Sequence, residues 1–109
     1  MSDDNNPVRA PALTIRHLVI HGHVQGVRYR AWTEETALSL GLEGWVRNRR
    51  DHTVEVVLAG PGATVAAMID ACRRGPPAAY VDAIDERDGA ADDLALRRPG
   101  ELFSVLPTA

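Results

Sequence analysis

The sequence predicts a single α+β domain: a two-layer sandwich in which two helices cover one face of a mostly antiparallel sheet. Short runs of β-branched and aliphatic residues alternate with two stretches whose apolar residues recur at three and four positions, and glycine or proline marks most boundaries. At 109 residues the chain is long enough to bury one modest core. The order strand, helix, strand, strand, helix, strand makes two split strand-helix-strand units, and right-handed crossovers turn these into a ferredoxin-like sandwich.

The first strand is expected over Leu13 to His21. Leu13, Ile15 and Val19 fall on one parity and Leu18 and Ile20 on the other, so both faces are partly apolar, as in a central strand. A helix follows from Arg30 to Leu40, with Tyr29, Trp32, Thr36, Ala37 and Leu40 as its core-facing stripe and Gly41 as its stop. Leu42 to Asn48 and Thr53 to Leu58 read as the two strands of a hairpin, joined through Arg49 to His52. Gly60-Pro61-Gly62 breaks the chain, and Val65, Met68, Ile69 and Cys72 form a second helical stripe that ends at Gly75-Pro76-Pro77. A strand is expected from Ala79 to Glu86, a polar loop from Asp88 to Gly100, and a last edge strand over Leu102 to Leu106. Residues 1–11 carry Asp3, Asp4, Asn5 and Asn6 without an apolar core, so they read as a disordered lead-in rather than a signal peptide or anchor, and the domain proper is expected over 12–109.

Composition excludes several classes of partner. The net charge is -3, which gives no global attraction to nucleic acid or to anionic membranes. Aromatic residues make up 5%, too few for the stacking platform of a single-strand RNA binder. Cys72 is the single cysteine, which rules out an intramolecular disulfide and suits a reducing, cytoplasmic compartment. All twelve basic residues are arginine, so an arginine here earns a role by its position and not by its type.

One stretch has position on its side. Gly22-His23-Val24-Gln25-Gly26-Val27-Arg28-Tyr29-Arg30 joins the first strand to the first helix. The opening amides of a helix lack internal partners, the helix dipole is positive there, and glycines let the backbone fold into a concave nest of N–H donors. Arg30 adds a permanent, fork-shaped cation, so the stretch reads as a phosphate cradle. Ser, Thr, Cys, Asp and Glu are all missing from it, and water is the expected attacking group.

The same stretch resembles the phosphate-loop signature of the acylphosphatase family, and Gly44-Trp45-Val46-Arg47-Asn48 resembles that family's second signature. The likeness runs on through Thr53-Val54-Glu55, the Gly60 break and Gly75-Pro76-Pro77-Ala78-Ala79-Tyr80-Val81, covering Leu13 to Ile84. It implies metal-independent hydrolysis of acyl phosphates to a carboxylate and inorganic phosphate, with no cofactor. Carried over by residue, it implies that Gly22, His23, Val24, Gln25, Gly26, Val27, Arg28, Tyr29 and Arg30 bind phosphate, with Arg30 catalytic. It also implies that Asn48 holds the attacking water and that the substrate's own phosphate helps take the proton. A small-molecule acyl phosphate is then the substrate, inorganic phosphate is product and competitive inhibitor, and the chain acts as a monomer. No zinc-finger or carbamoyl-transfer region follows, so the chain resembles the freestanding enzyme rather than the related domain of hydrogenase-maturation carbamoyltransferases.

Blander readings stand beside these. A non-catalytic anion- or metabolite-binding module on the same fold is the alternative function. Arg28, Arg47, Arg49 and Arg50 read as solvated charges, Gln25 as a residue that shapes the loop, Trp32 and Trp45 as core, and Glu34-Glu35 and Asp92-Asp93 as surface charge. His17, His21 and His23 share one strand parity, but no nearby cysteine or convincing carboxylate completes a metal site. His52 stands where the family commonly has glycine, so it is expected to take a left-handed conformation.

Overall fold

The computed structural model describes residues 13–109; the lead-in expected over residues 1–11 lies outside them. Strand β1 (Leu13–His23) leads to α1 (Tyr29–Ser39), then β2 (Glu43–Asn48), β3 (Val54–Pro61), α2 (Gly62–Cys72), β4 (Tyr80–Asp88), the single turn α3 (Ala91–Leu94) and β5 (Phe103–Val105). The sheet order is β4-β1-β3-β2-β5. β1 pairs antiparallel with both β3 and β4, β2 antiparallel with β3, and β5 adds to β2 in parallel. This is the expected ferredoxin-like α+β sandwich, with the last strand on an edge.

Strand alternation divides the apolar residues between two faces. Leu18, Ile20, Val46, Val54, Val56 and Leu58 point to the helices and meet Tyr29, Ala37, Val65, Met68, Ile69 and Cys72 in the main core. The α2 stripe is buried as its spacing predicts. In α1 the buried line is Tyr29, Thr33 and Ala37, while Trp32 and Thr36 are half-buried and Leu40 is 39% exposed. The helical spacing puts Leu40 in the core, but it lies beyond the last full turn, where the chain is already leaving the sheet. Thr33 is tolerated inside because its hydroxyl donates to the Tyr29 carbonyl at 2.8 Å.

The segment Asp88 to Gly100, expected to be a plain loop, contains α3 and has a packing task. Trp45, Val57 and Leu106 form a second buried cluster on the face away from the helices, with Ile15 and Leu94 against it. The Trp45 indole N–H donates to the Asp93 carbonyl at 2.6 Å, so the polar segment folds over an aromatic ring and satisfies its one polar atom. Beside it, Glu55 accepts from Arg47 at 2.7 Å and pairs with His17 at 2.7 Å. Burial would raise the Glu55 carboxyl, but the bonds to His17 and Arg47 outweigh it and hold the group below its ordinary value.

Trp45→Ala is expected to cost about 3–5 kcal/mol in chemical denaturation. A loss under about 1 kcal/mol would show that the second cluster is surface cover and not core.

Candidate active site

The junction between β1 and α1 is built from unusual backbone. Gly26 has φ +75, and Arg28, the residue capping α1, has φ +66 and ψ +22. Left-handed conformation is uncommon for a residue with a side chain, and two such residues within three positions curl the chain into a nest. Among the described residues, none of the backbone N–H groups from Gln25 to Arg30 donates to a backbone acceptor. Six consecutive donors are therefore available at the start of a helix, where the dipole is positive.

Arg30 lies in the first turn of α1, half-buried, in the wall of a cleft of about 450 Å³. Among the described residues it makes no ion pair, whereas Arg28 faces Glu35 at 3.4 Å, Arg47 faces Glu55 at 2.7 Å and Arg49 faces Asp51 at 3.7 Å. The Arg30 charge is thus left for something that enters the cleft. Asn48, the last residue of β2, lines the same cleft, and its side-chain oxygen is buried with no hydrogen-bond partner among the described residues. A buried acceptor without a donor is costly unless water or a ligand supplies one.

The hairpin that carries Asn48 is held in place from several directions. His52 is left-handed, with φ +74, as expected. The Asp51 carboxylate accepts from the Thr53 hydroxyl at 2.6 Å and from the Thr53 amide at 3.1 Å, which holds its pKa below the ordinary value. Histidine in place of glycine therefore leaves a well-tied turn. Gln25 supplies the link to the cradle: its side-chain NH2 donates to the carbonyls of Arg49 and Thr53, both at 2.8 Å. The Gln25 side-chain nitrogen is thus engaged by the hairpin, which agrees with the loop-shaping role read from the sequence.

Of the other residues of the stretch, Val24, Gly26, Arg28 and Tyr29 line the cleft with Arg30 and Asn48, whereas Gly22, His23, Gln25 and Val27 stay out of its wall. Gly22 is inside β1 at a register shift against β4, with φ +131, and a Cβ there would lie 2.1 Å from the Tyr80 carbonyl oxygen. It is glycine for strand pairing. His23 is exposed and paired with Tyr80, and Val27 packs on the main core. Tyr29 is buried and its hydroxyl donates to the Cys72 carbonyl at 2.6 Å, fastening the start of α1 to the end of α2. Burial pushes the Tyr29 phenol up, so it stays a donor, and raises the Cys72 thiol to about 12, so that cysteine is inert packing.

The histidines of β1 do not converge. His17 pairs with Glu55 on one neighbouring strand and His21 with Asp85 on the other, the latter at 2.9 Å. No group of three or more potential metal ligands gathers among the described residues.

Two features of the site have no clear mark in the sequence pattern. The left-handed Arg28 has no compositional signal, since the glycines are the residues expected to supply that conformation. Glu34, read as surface charge, lines the cleft one turn after Arg30, together with Ala31 and Val105. Its i, i+4 spacing from Arg30 is the available signal.

Known proteins share this fold and these motifs. The family model described as Acylphosphatase matches residues 16–95. A protein named acylphosphatase from Rhodopseudomonas palustris is 56% identical over 94 residues, which is 86% of this chain and 95% of that one.

The chain belongs to the acylphosphatase family.

Among solved structures, an acylphosphatase from Coxiella burnetii superposes with a TM-score of 0.75 at 28% identity, covering 86% of this chain and 93% of that one. Another from Bacillus subtilis gives 0.73 at 28% identity, covering 87% and 99%. The activity is that of the family: an acyl phosphate is hydrolysed, and the substrate is a small molecule.

Gln25→Ala is expected to lower stability by about 1–2 kcal/mol, because two hydrogen bonds between cradle and hairpin are lost. It should also reduce kcat about tenfold or more through misplacement of Asn48 against the cradle. Denaturation and steady-state kinetics check the two effects separately, and a variant with unchanged kcat would make the tether purely structural.

Proposed function

We propose that the cradle holds the phosphoryl group of the acyl phosphate while Asn48 holds the water that attacks it. The carrying observation is that three unmet groups share one cleft or its rim: the run of unpartnered amides, the unpaired Arg30 guanidinium and the orphaned Asn48 oxygen. Each has the polarity its role requires. Amides and guanidinium donate to phosphoryl oxygens and stabilise the charge that spreads over them in the transition state. The Asn48 oxygen accepts a hydrogen bond from water and orients its lone pair toward phosphorus.

In this reading the water oxygen forms a bond to phosphorus as the bond between phosphorus and the acyl oxygen breaks. The departing carboxylate keeps the electron pair, and a water proton passes to a phosphoryl oxygen. An amide is no strong base, and the leaving group needs no acid, because a carboxylate is stable as an anion at neutral pH. The cradle supplies the positive charge itself, so the step requires no cofactor. Inorganic phosphate presents the same oxygens to the same donors, which supports competitive product inhibition. Cleft, guanidinium and amide all come from one chain, which supports a monomer as the active unit. A cytoplasmic location belongs to the same proposal and rests on the single, buried cysteine. No helix of the described residues is long and apolar enough to cross a membrane.

The test is hydrolysis of acetyl phosphate by the purified protein and by two variants. Arg30→Ala is expected to lose at least about a hundredfold in kcat/KM with its circular dichroism unchanged; retention of most of the rate would remove Arg30 from the chemistry. Asn48→Ala is expected to lose kcat while inorganic phosphate still binds. Loss of phosphate binding in that variant would reassign Asn48 to the cradle.

A further inference from the structure

We propose that Glu34 is a specificity-determining residue that selects acyl phosphates by the charge of the acyl group, favouring neutral or cationic groups over those with a second carboxylate. The proposal rests on the phosphoryl placement given above and extends it to the rest of the substrate. Glu34 lines the catalytic cleft, half-buried, and no ion pair or hydrogen bond engages its carboxylate among the described residues. Its sequence neighbour Glu35 is exposed and faces Arg28 at 3.4 Å. The two adjacent carboxylates have diverged, and the one left unpaired faces the cleft.

Position along the helix says which part of the substrate Glu34 meets. It follows Arg30 by four residues, a rise of about 6 Å away from the helix N-terminus and the cradle amides. A carboxylate among the phosphoryl oxygens would oppose the site's purpose, but one a turn further on stands beside what lies beyond phosphorus. The remaining wall there is Ala31 and Val105, which offers neither a counter-charge nor a hydrogen-bonding side chain. Of the cations that line the cleft, Arg30 is assigned to the phosphoryl group, and Arg28 faces Glu35 at 3.4 Å nearer the helix start. A substrate whose acyl group ends in a carboxylate therefore brings like charge against Glu34. At a separation of roughly 8 Å in a half-solvated cleft, the repulsion amounts to about a fivefold discrimination. It acts on the acyl group alone, since every substrate carries the same phosphate.

The experiment compares kcat/KM for succinyl phosphate with that for acetyl phosphate in the wild type, in Glu34→Gln and in Glu34→Asp. The succinyl-to-acetyl ratio is expected to rise about fivefold in Glu34→Gln and to stay near the wild-type value in Glu34→Asp, which keeps the charge. In the wild type alone, added salt is expected to raise the same ratio toward that of Glu34→Gln. This arm stands even if a variant folds poorly. A ratio in Glu34→Gln within about 1.5-fold of wild type, with no salt dependence, overturns the proposal. So does a loss of acetyl phosphate turnover in Glu34→Gln together with disappearance of the acid limb of its kcat profile, which would make Glu34 a general base. Failure of the wild type to hydrolyse acetyl phosphate at all would instead overturn the functional reading on which the proposal stands.

Discussion

The structure is organised around one unmet electrostatic demand: a run of backbone donors at the mouth of α1 that the protein itself does not satisfy. Unpartnered amides are tolerable where water or an anion reaches them, and here Gly26, Arg28, Tyr29 and Arg30 of the run line a cleft. Holding them so requires the backbone of Arg28 in a left-handed conformation that an unconstrained chain would leave. The constraint comes from both sides. Tyr29 is buried and bonded to the Cys72 carbonyl, so the helix start cannot shift, and Val27 is anchored in the core on the loop's other flank. Gln25 then ties the loop to the hairpin.

Topology explains why cradle and Asn48 meet although β1 and β2 are not neighbours. β3 lies between them and runs antiparallel to both, so β1 and β2 run the same way and their C-terminal ends emerge on one edge of the sheet. β5, parallel to β2, ends on that edge too. The cleft is lined by the loop and helix start between Val24 and Arg30, by Asn48 at the end of β2 and by Val105 at the end of β5. A crevice beyond the carboxyl ends of like-directed strands is where open sheets with helical crossovers bind ligands. The short distance Gln25 spans to Arg49 and Thr53 crosses the end of β3.

Much of this is legible in the sequence, and the parts that are not share a cause. Periodicity locates both long helices and all five strands, because one-sided burial writes itself into the order of apolar residues. That Arg30 and Asn48 line one cleft is legible because two motifs separated by one helix come together in this topology. Thr33 is invisible as a core residue, since its burial depends on a hydroxyl bond to Tyr29 that no hydropathy pattern records. The role of Asp88 to Gly100 is equally hidden: a polar segment reveals nothing of the tryptophan it covers, and α3 is too short to have a period. Glu34 and Glu35 differ only in which side of a helix they occupy, and at the level of sequence both look solvated. The backbone of Arg28 is a product of the packing on either side of it, which no local propensity encodes.

Charge in this protein is decided locally. The chain is net acidic, yet it is built to hold an anionic substrate, and the two facts are compatible because most of the arginines around the sheet are neutralised in place. Arg16 faces Glu86 and Asp88, Arg47 faces Glu55, and Arg97 faces Glu43. Such pairs contribute little at long range, since opposite charges a few ångströms apart cancel within a Debye length. The field in the cleft is then set by the charges without partners, Arg30 and the amides at the start of α1 and Glu34 one turn further along it. An abundance of arginine is a poor guide to the site for this reason. The informative arginine is the one that lines the cleft without an ion pair among the described residues.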